Sequence, residues 1–148
     1  MTTISTVGNR VFVDTGAYYA FIDRDDRYHR KAAGVFEAIG NIRQVTTDLV
    51  VSECFSLVRY RLGLSQALSF LDKIYAARDK GFVSIAYHGP EHEREVRELL
   101  ARFADQRLSY VDAFSLVLLN KKGAPKDVFT FDRHFYLAKC NIIPGDLR

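Results

Sequence analysis

Two cysteines, three prolines and no tryptophan among 148 residues leave several architectures without raw material. A disulfide framework needs cysteines at regular spacing, but Cys54 and Cys140 fall singly in segments that read as a helix and as the last apolar element. They are expected to be reduced, structural thiols. No low-complexity stretch or repeat marks a linker or a solenoid. No apolar run approaches the ~20 residues of a membrane span, and residues 1–8 lack the basic region and apolar core of a secretory leader. A soluble cytoplasmic protein without a membrane partner is expected. An excess of one charge is missing too: 21 Lys and Arg against 18 Asp and Glu give +3, which alone does not identify a nucleic-acid partner. The absence of a glycine-rich phosphate loop and of a Gly-x-Ser-x-Gly elbow disfavours P-loop hydrolases and serine hydrolases.

The composition, 48% hydrophobic and 26% charged, is that of an ordinary globular chain, and 148 residues suit one domain with a core of its own. Val11-Phe12-Val13 reads as a buried strand ending at Asp14-Thr15-Gly16 and feeding a helix through Ile22. Ala32, Val35, Phe36 and Ile39 form a helical stripe within residues 28–42. Gln44 to Thr46 reads as a strand. Thr47-Asp48 offers an N-cap to a helix through Leu62, and Ser65 to another ending at Lys80-Gly81. Phe82 to Tyr87 is strand-like, and Gly89-Pro90 with Glu91 and Glu93 starts a helix with apolar Val96, Leu99, Leu100 and Phe103. Ser109 caps a helix through Leu119. Asp127 to Phe131 reads as a strand, residues 133–139 as a short helix or turn, and Ile142-Ile143 as a last extended piece. This alternation predicts an α/β chain, with a mainly parallel sheet layered between helices.

Two strand readings end in aspartates, Asp14 and Asp132. Ligands of open α/β sheets sit beyond the carboxyl ends of strands, so both acids face one crevice if the strands are neighbours. Glu53 lies beside the apolar stripe of its helix, with Leu49, Val50, Ser56 and Leu57 at three and four positions. A charged glutamate facing inward needs a cation or donors, and the alternative is rotation toward solvent or a basic partner. Asp112 follows Ser109 by three residues, which is also a capping-box spacing. Asp14 and Asp132 have their own local explanation as turn starters. Taken together, four such acids converging would repel one another unless protonated or neutralised by a hard divalent cation such as Mg²⁺ or Mn²⁺. That equipment suits phosphodiester hydrolysis.

The ordered motifs Val-Asp-Thr-Gly at 13–16, Ser-Glu at 52–53, Leu-Ser-Tyr-Val-Asp-Ala at 108–113 and Thr-Phe-Asp-Arg-His-Phe at 130–135 resemble a PIN domain. The likeness is to the VapC-type toxin ribonucleases of type II toxin–antitoxin systems, and it spans residues 10–144. The resemblance implies a three-layer α/β/α sandwich and a metal-dependent endoribonuclease. It places the catalytic, metal-holding acids at Asp14, Glu53, Asp112 and Asp132, with Mg²⁺ or Mn²⁺ as cofactor. Thr15 and Ser109 match supporting hydroxyl positions, and Asp105 matches a frequent acid whose alternative is an exposed helix end. The resemblance also implies 5′-phosphate and 3′-hydroxyl products, a homodimer and an antitoxin partner whose segment enters the acidic groove.

With those four acids neutralised, 21 basic residues face 14 acidic ones, a balance of +7 that attracts a polyanion. Arg24, Arg27, Lys122 and Arg133 are the leading candidates for RNA contacts, within basic groups that also hold Arg30, Lys31, Lys121 and Lys126. Solvated helix ends are their alternative. His88 and His92 are separated by Gly89-Pro90, which opposes a shared zinc-binding helix face. His134 is read as a loop histidine outside the catalytic set, and Tyr18, Tyr19 and Phe21 as core or interface. The rivals are a non-toxin PIN nuclease in RNA processing, a non-cleaving RNA- or protein-binding PIN scaffold, and a receiver-like phospho-acceptor. The last lacks a lysine at the end of its final strand, where Pro144-Gly145 stands.

Overall fold

The computed structural model describes residues 8–145. A five-stranded parallel sheet is flanked by helices in the order β1 (Arg10–Val13), α1 (Thr15–Ile22), α2 (His29–Ile39), β2 (Arg43–Thr47), α3 (Asp48–Leu62) and α4 (Leu64–Asp79). There follow β3 (Val83–Ala86), α5 (Glu93–Arg102), α6 (Tyr110–Leu119), β4 (Asp127–Phe129) and β5 (Asn141–Ile143). Short 3-10 turns occupy Pro90–His92 and Arg133–Leu137. The expected α/β architecture is therefore the observed one.

The strand order is β3-β2-β1-β4-β5, and every pair is parallel. β1 is central, and Val11, Phe12 and Val13 are buried, as an uninterrupted apolar run in a sheet covered on both faces should be. Phe12, Phe114, Phe129 and Phe135 are the largest fully buried side chains, and the core lies around them. Val13 pairs with Phe129, so the chain leaves β1 and β4 side by side. The order reverses there: β1 continues to β2 on one side, while β4 and β5 lie on the other. That reversal opens a crevice at the carboxyl ends.

Local chemistry sets the element ends. The Thr47 hydroxyl accepts from the Val50 amide at 2.9 Å and caps α3, while Arg59 and Arg61 stand in its last turn, where cations suit the helix dipole. Gly63, at φ 100°, ends α3 and starts α4 without a side-chain cap, so the expected Ser65 cap is replaced by a glycine break. Pro90 opens a 3-10 turn, and α5 proper begins at Glu93. β4 stops at Phe129, two residues before the expected end. The Thr130 hydroxyl there accepts from the Asp132 amide at 2.9 Å, a local turn that competes with the ladder. Cys54 is buried, Cys140 is partly buried, and both are free thiols.

Candidate active site

At the end of β1 the chain turns directly into α1, and Asp14 occupies the joint. Its amide still donates to the Phe129 carbonyl at 3.1 Å, which ties it to β4, and the residue is 4% exposed. Oδ2 accepts from the Thr130 hydroxyl at 3.1 Å, but Oδ1 is buried with no hydrogen-bond partner. Burial is the main reason that this carboxyl is pushed up to about 7, and the charges of Asp112 and Asp132 add to it. The Thr15 amide and the Thr130 hydroxyl work in the opposite direction.

Four further acids line an open cleft of about 640 Å³ with Asp14: Glu53, Asp112, Asp132 and, beside Arg27, Asp26. Glu53 reaches the cleft half-buried from α3. Burial raises its carboxyl, and Asp112 and Asp132 raise it further, while the Thr15 hydroxyl opposes the shift. Even so, Thr15 Oγ1 is buried without a partner in hydrogen-bonding geometry. Asp112 comes from the first turn of α6 in a reciprocal capping box: its amide donates to Ser109 Oγ at 3.0 Å and the Ser109 amide to its Oδ2 at 3.3 Å. Burial raises the Asp112 carboxyl too, followed by the charge of Asp132, and His134 counteracts. Asp132 caps the 3-10 turn after β4, its Oδ1 accepting from the His134 amide at 2.9 Å.

The wall of the cleft contains Asp14, Thr15, Glu53, Ser109, Asp112 and Asp132, so all six acids and hydroxyl residues singled out in the sequence are together. Of the basic candidates, Arg27 and Arg133 line it. Arg24 instead lines the groove between α1, α2 and α4, and Lys122 is exposed beyond the end of α6. Lys121 is occupied by Glu95, at 2.7 Å to both carboxylate oxygens. Asp105 is exposed and outside the cleft. Tyr18 and Tyr19 are buried, whereas Phe21 is 47% exposed, so the core reading holds for the first two alone. His88 and His92 pack against Phe114, and His88 Nε2 lies 2.8 Å from the Tyr110 hydroxyl.

Several site residues were not singled out. Thr130 touches two of the acids at once, and its signal is the Thr-x-Asp spacing at a strand end. Arg61 lines the cleft with its guanidinium 5.1 Å from the Tyr19 ring centre. Glu53, Leu57 and Arg61 repeat at four-residue intervals, which puts them on one helix face. Tyr28 and Phe131 also line the cleft, stacked at 4.4 Å and 4°. His134, read as a loop histidine outside the catalytic set, stands next to that set: its Nδ1 lies 3.0 Å from Asp132 Oδ1, off hydrogen-bonding geometry. Ligand atoms of Asp112, Asp132 and His134 all fall within 4.8 Å of one another.

The donor set suits a hard divalent cation. Its oxygens are mostly carboxylate, the acids raise one another's proton affinity, and Asp14 Oδ1 and Thr15 Oγ1 are buried without the partners such groups need. The Cys54 thiol beside Glu53 is pushed up to about 12 by burial, which rules it out as a nucleophile at neutral pH.

Known proteins similar to this chain share its family and fold. Residues 11–139 match the family model described as PIN domain. The 23S rRNA-specific endonuclease VapC20 of Mycobacterium tuberculosis is 27% identical over 128 residues, covering 86% of this chain and 93% of the relative. Ribonuclease VapC26 of the same species is 26% identical over 130 residues, covering 86% and 90%. The crystal structure of VapC20, a sarcin–ricin loop cleaving toxin, superposes with a TM-score of 0.75 at 26% identity over 86% of this chain and 93% of that one. VapBC2 from Rickettsia felis, solved bound to a promoter DNA fragment, shares the fold with a TM-score of 0.59 at 14% identity, over 90% and 96%. Since the family model matches residues 11–139, most of the sequence, the chain belongs to the PIN domain family.

Proposed function

We propose that this chain is one nuclease domain, a divalent-metal-dependent endoribonuclease acting as the toxin of a toxin–antitoxin pair. The observation that carries the reading is the convergence of Asp14, Glu53, Asp112 and Asp132 on one cleft, with a buried oxygen of Asp14 left unpartnered. Names of relatives point the same way, to ribonucleases, and in one case to a structured ribosomal RNA.

The four acids would hold Mg²⁺ or Mn²⁺, which when bound supplies charge neutralisation and Lewis acidity at the scissile phosphate. The rest belongs to the chain itself. Thr130 fixes Asp14 Oδ2 and the Asp132 amide together, so the ends of β1 and β4 present their acids at a set separation. The Ser109 amide donates to Asp112 Oδ2 and restrains its carboxylate. Glu53, whose carboxyl is raised by burial, is placed to accept the proton of the attacking water. Thr15 offers its hydroxyl to that water or to a phosphate oxygen. Arg27, Arg61 and Arg133 supply positive charge along the walls for neighbouring phosphates. The products expected are 5′-phosphate and 3′-hydroxyl ends.

The test is cleavage of total cellular RNA, ribosomal RNA included, by purified protein with Mn²⁺ or Mg²⁺, with chelator, and with Asp112→Asn. Asparagine keeps the capping geometry, so the variant should fold and fail to cut. Equal cutting by wild type and variant, or cutting unaffected by chelator, rejects the reading. Rescue of growth by a co-expressed small partner encoded beside this gene tests the toxin role, and light scattering tests the homodimer. The site of action proposed is the cytoplasm.

A further inference from the structure

A second hollow of about 960 Å³ opens beside the acidic cleft, bordered by Asp105, Arg107, Arg133, His134 and Tyr136. Arg133 lines both spaces, and His134 joins them through its approach to Asp132. The hollow therefore adjoins the acidic cleft, with Arg133 in the wall of both. Its chemistry differs from that of the cleft: two guanidinium groups stand at its rim, and neither is in an ion pair among the described residues. Tyr136 presents an aromatic ring that is 57% exposed. Arg107 is the one non-glycine residue with positive φ among the described residues, at 53°, in the loop between α5 and α6. A long cationic side chain held in that conformation is a strained choice, and such strain is retained where a side chain must point in a particular direction. Asp105, exposed and unpaired nearby, is the only carboxylate among the residues lining the hollow.

We propose that this hollow is a nucleotide subsite of the RNA path, holding the residue next to the scissile phosphate. Arg107 and Arg133 contact its phosphate, the Tyr136 ring stacks on its base, and Asp105 accepts from a base N–H. The proposal rests on the endoribonuclease reading, and it assigns Asp105 a role in substrate choice, away from metal.

The test uses a fluorescein-labelled single-stranded RNA of mixed sequence, about 12 nucleotides long to cover the usual site sizes. It is titrated by fluorescence anisotropy against protein carrying Asp112→Asn to suppress cutting. Adding Tyr136→Ala should weaken binding by about 5-fold or more, with Tyr136→Phe restoring it, because stacking needs the ring and not the hydroxyl. Arg107→Gly, which suits the positive φ, should weaken binding and lower the slope of log affinity against log salt by about 0.7. Asp105→Ala should erase preference among RNAs that differ in base composition. Unchanged binding in both Tyr136→Ala and Arg107→Gly overturns the subsite, whatever the cutting assays give. Wild-type protein that never cuts while these variants still weaken binding overturns the nuclease reading and leaves the hollow as an RNA-binding site without a scissile phosphate beside it. A parent with no affinity for RNA overturns both.

Discussion

Two buried aspartates flank the same pair of strands and differ in almost every respect. Asp127, at the start of β4, is 5% exposed, and both of its oxygens are used: Oδ2 accepts from the Gly8 amide at 2.8 Å and Oδ1 from Asn141 Nδ2 at 2.9 Å. Asp14, at the far end of β1, is 4% exposed and has one oxygen satisfied and one orphaned, with other acids across the cleft. A fold that buries a carboxylate for its own sake surrounds it with donors, as at Asp127. A fold that buries one among other acids leaves an oxygen without a donor, as at Asp14 Oδ1. On the proposed function, stability belongs to one end of the sheet and chemistry to the other.

The sharpest way to break this contrast is Asp14→Asn. Cleavage should fall by at least ~10²-fold, since an anionic ligand at the centre of the site is lost. Stability should move the other way at alkaline pH. Unfolded Asp14 titrates near 3.8 and folded Asp14 near 7, so between these values the folded state holds a proton that the unfolded chain lacks. The resulting stability is complete below about pH 4 and is lost as pH rises through 7. The slope approaches 1.4 kcal/mol per unit, and the total is on the order of 4 kcal/mol. Denaturant titrations in chelator at pH 5 and pH 8 should show wild type weakening relative to Asp14→Asn, and Mn²⁺ at pH 8 should restore the wild type alone. Parallel stability curves for the two proteins would mean that Asp14 carries no such strain.

Asp127→Ala should give the converse result. Removing the carboxylate orphans the Gly8 amide and the Asn141 side chain at a cost of about 1–3 kcal/mol, seen as a fall in Tm of roughly 3–10 °C. RNA cleavage measured well below that Tm should match wild type. A large loss of cleavage with unchanged Tm would erase the division between the two ends.

Much of this contrast could be read from residue order, and its limits have physical causes. Asp14 and Asp132 are legible because each follows a short apolar strand. The neighbour relation of β1 and β4, which brings them together, is long-range and depends on the whole sheet. β4 ends two residues before its expected end: Phe129, Thr130 and Phe131 all favour strand, whereas the Thr130 hydroxyl diverts the Asp132 amide from the ladder. Gly63 took over from Ser65 because a break at φ 100° ends one helix and begins the next within a single residue. Arg61 reaches the cleft and His134 approaches Asp132 through side-chain direction, which spacing constrains only by face. Asp127 gave no signal, since its partners come from residues 8 and 141.

The smallest expected effect lies at Ser109, where the two kinds of role meet in one residue. Its hydroxyl caps α6, as the Thr47 hydroxyl caps α3, and its amide donates to the Asp112 carboxylate. Ser109→Ala removes the cap, about 1 kcal/mol, and keeps the amide. If capping were its whole contribution, only Tm would fall, by roughly 2–4 °C. Asp112, however, is held from both directions, and loss of the hydroxyl loosens the turn that aims its carboxylate into the cleft. Cleavage should thus fall several-fold in kcat with little change in KM. Thr47→Ala, an equivalent cap lost from α3, should lower Tm by a similar amount and leave kcat alone. Equal kcat for the two variants would make Ser109 a cap and nothing more.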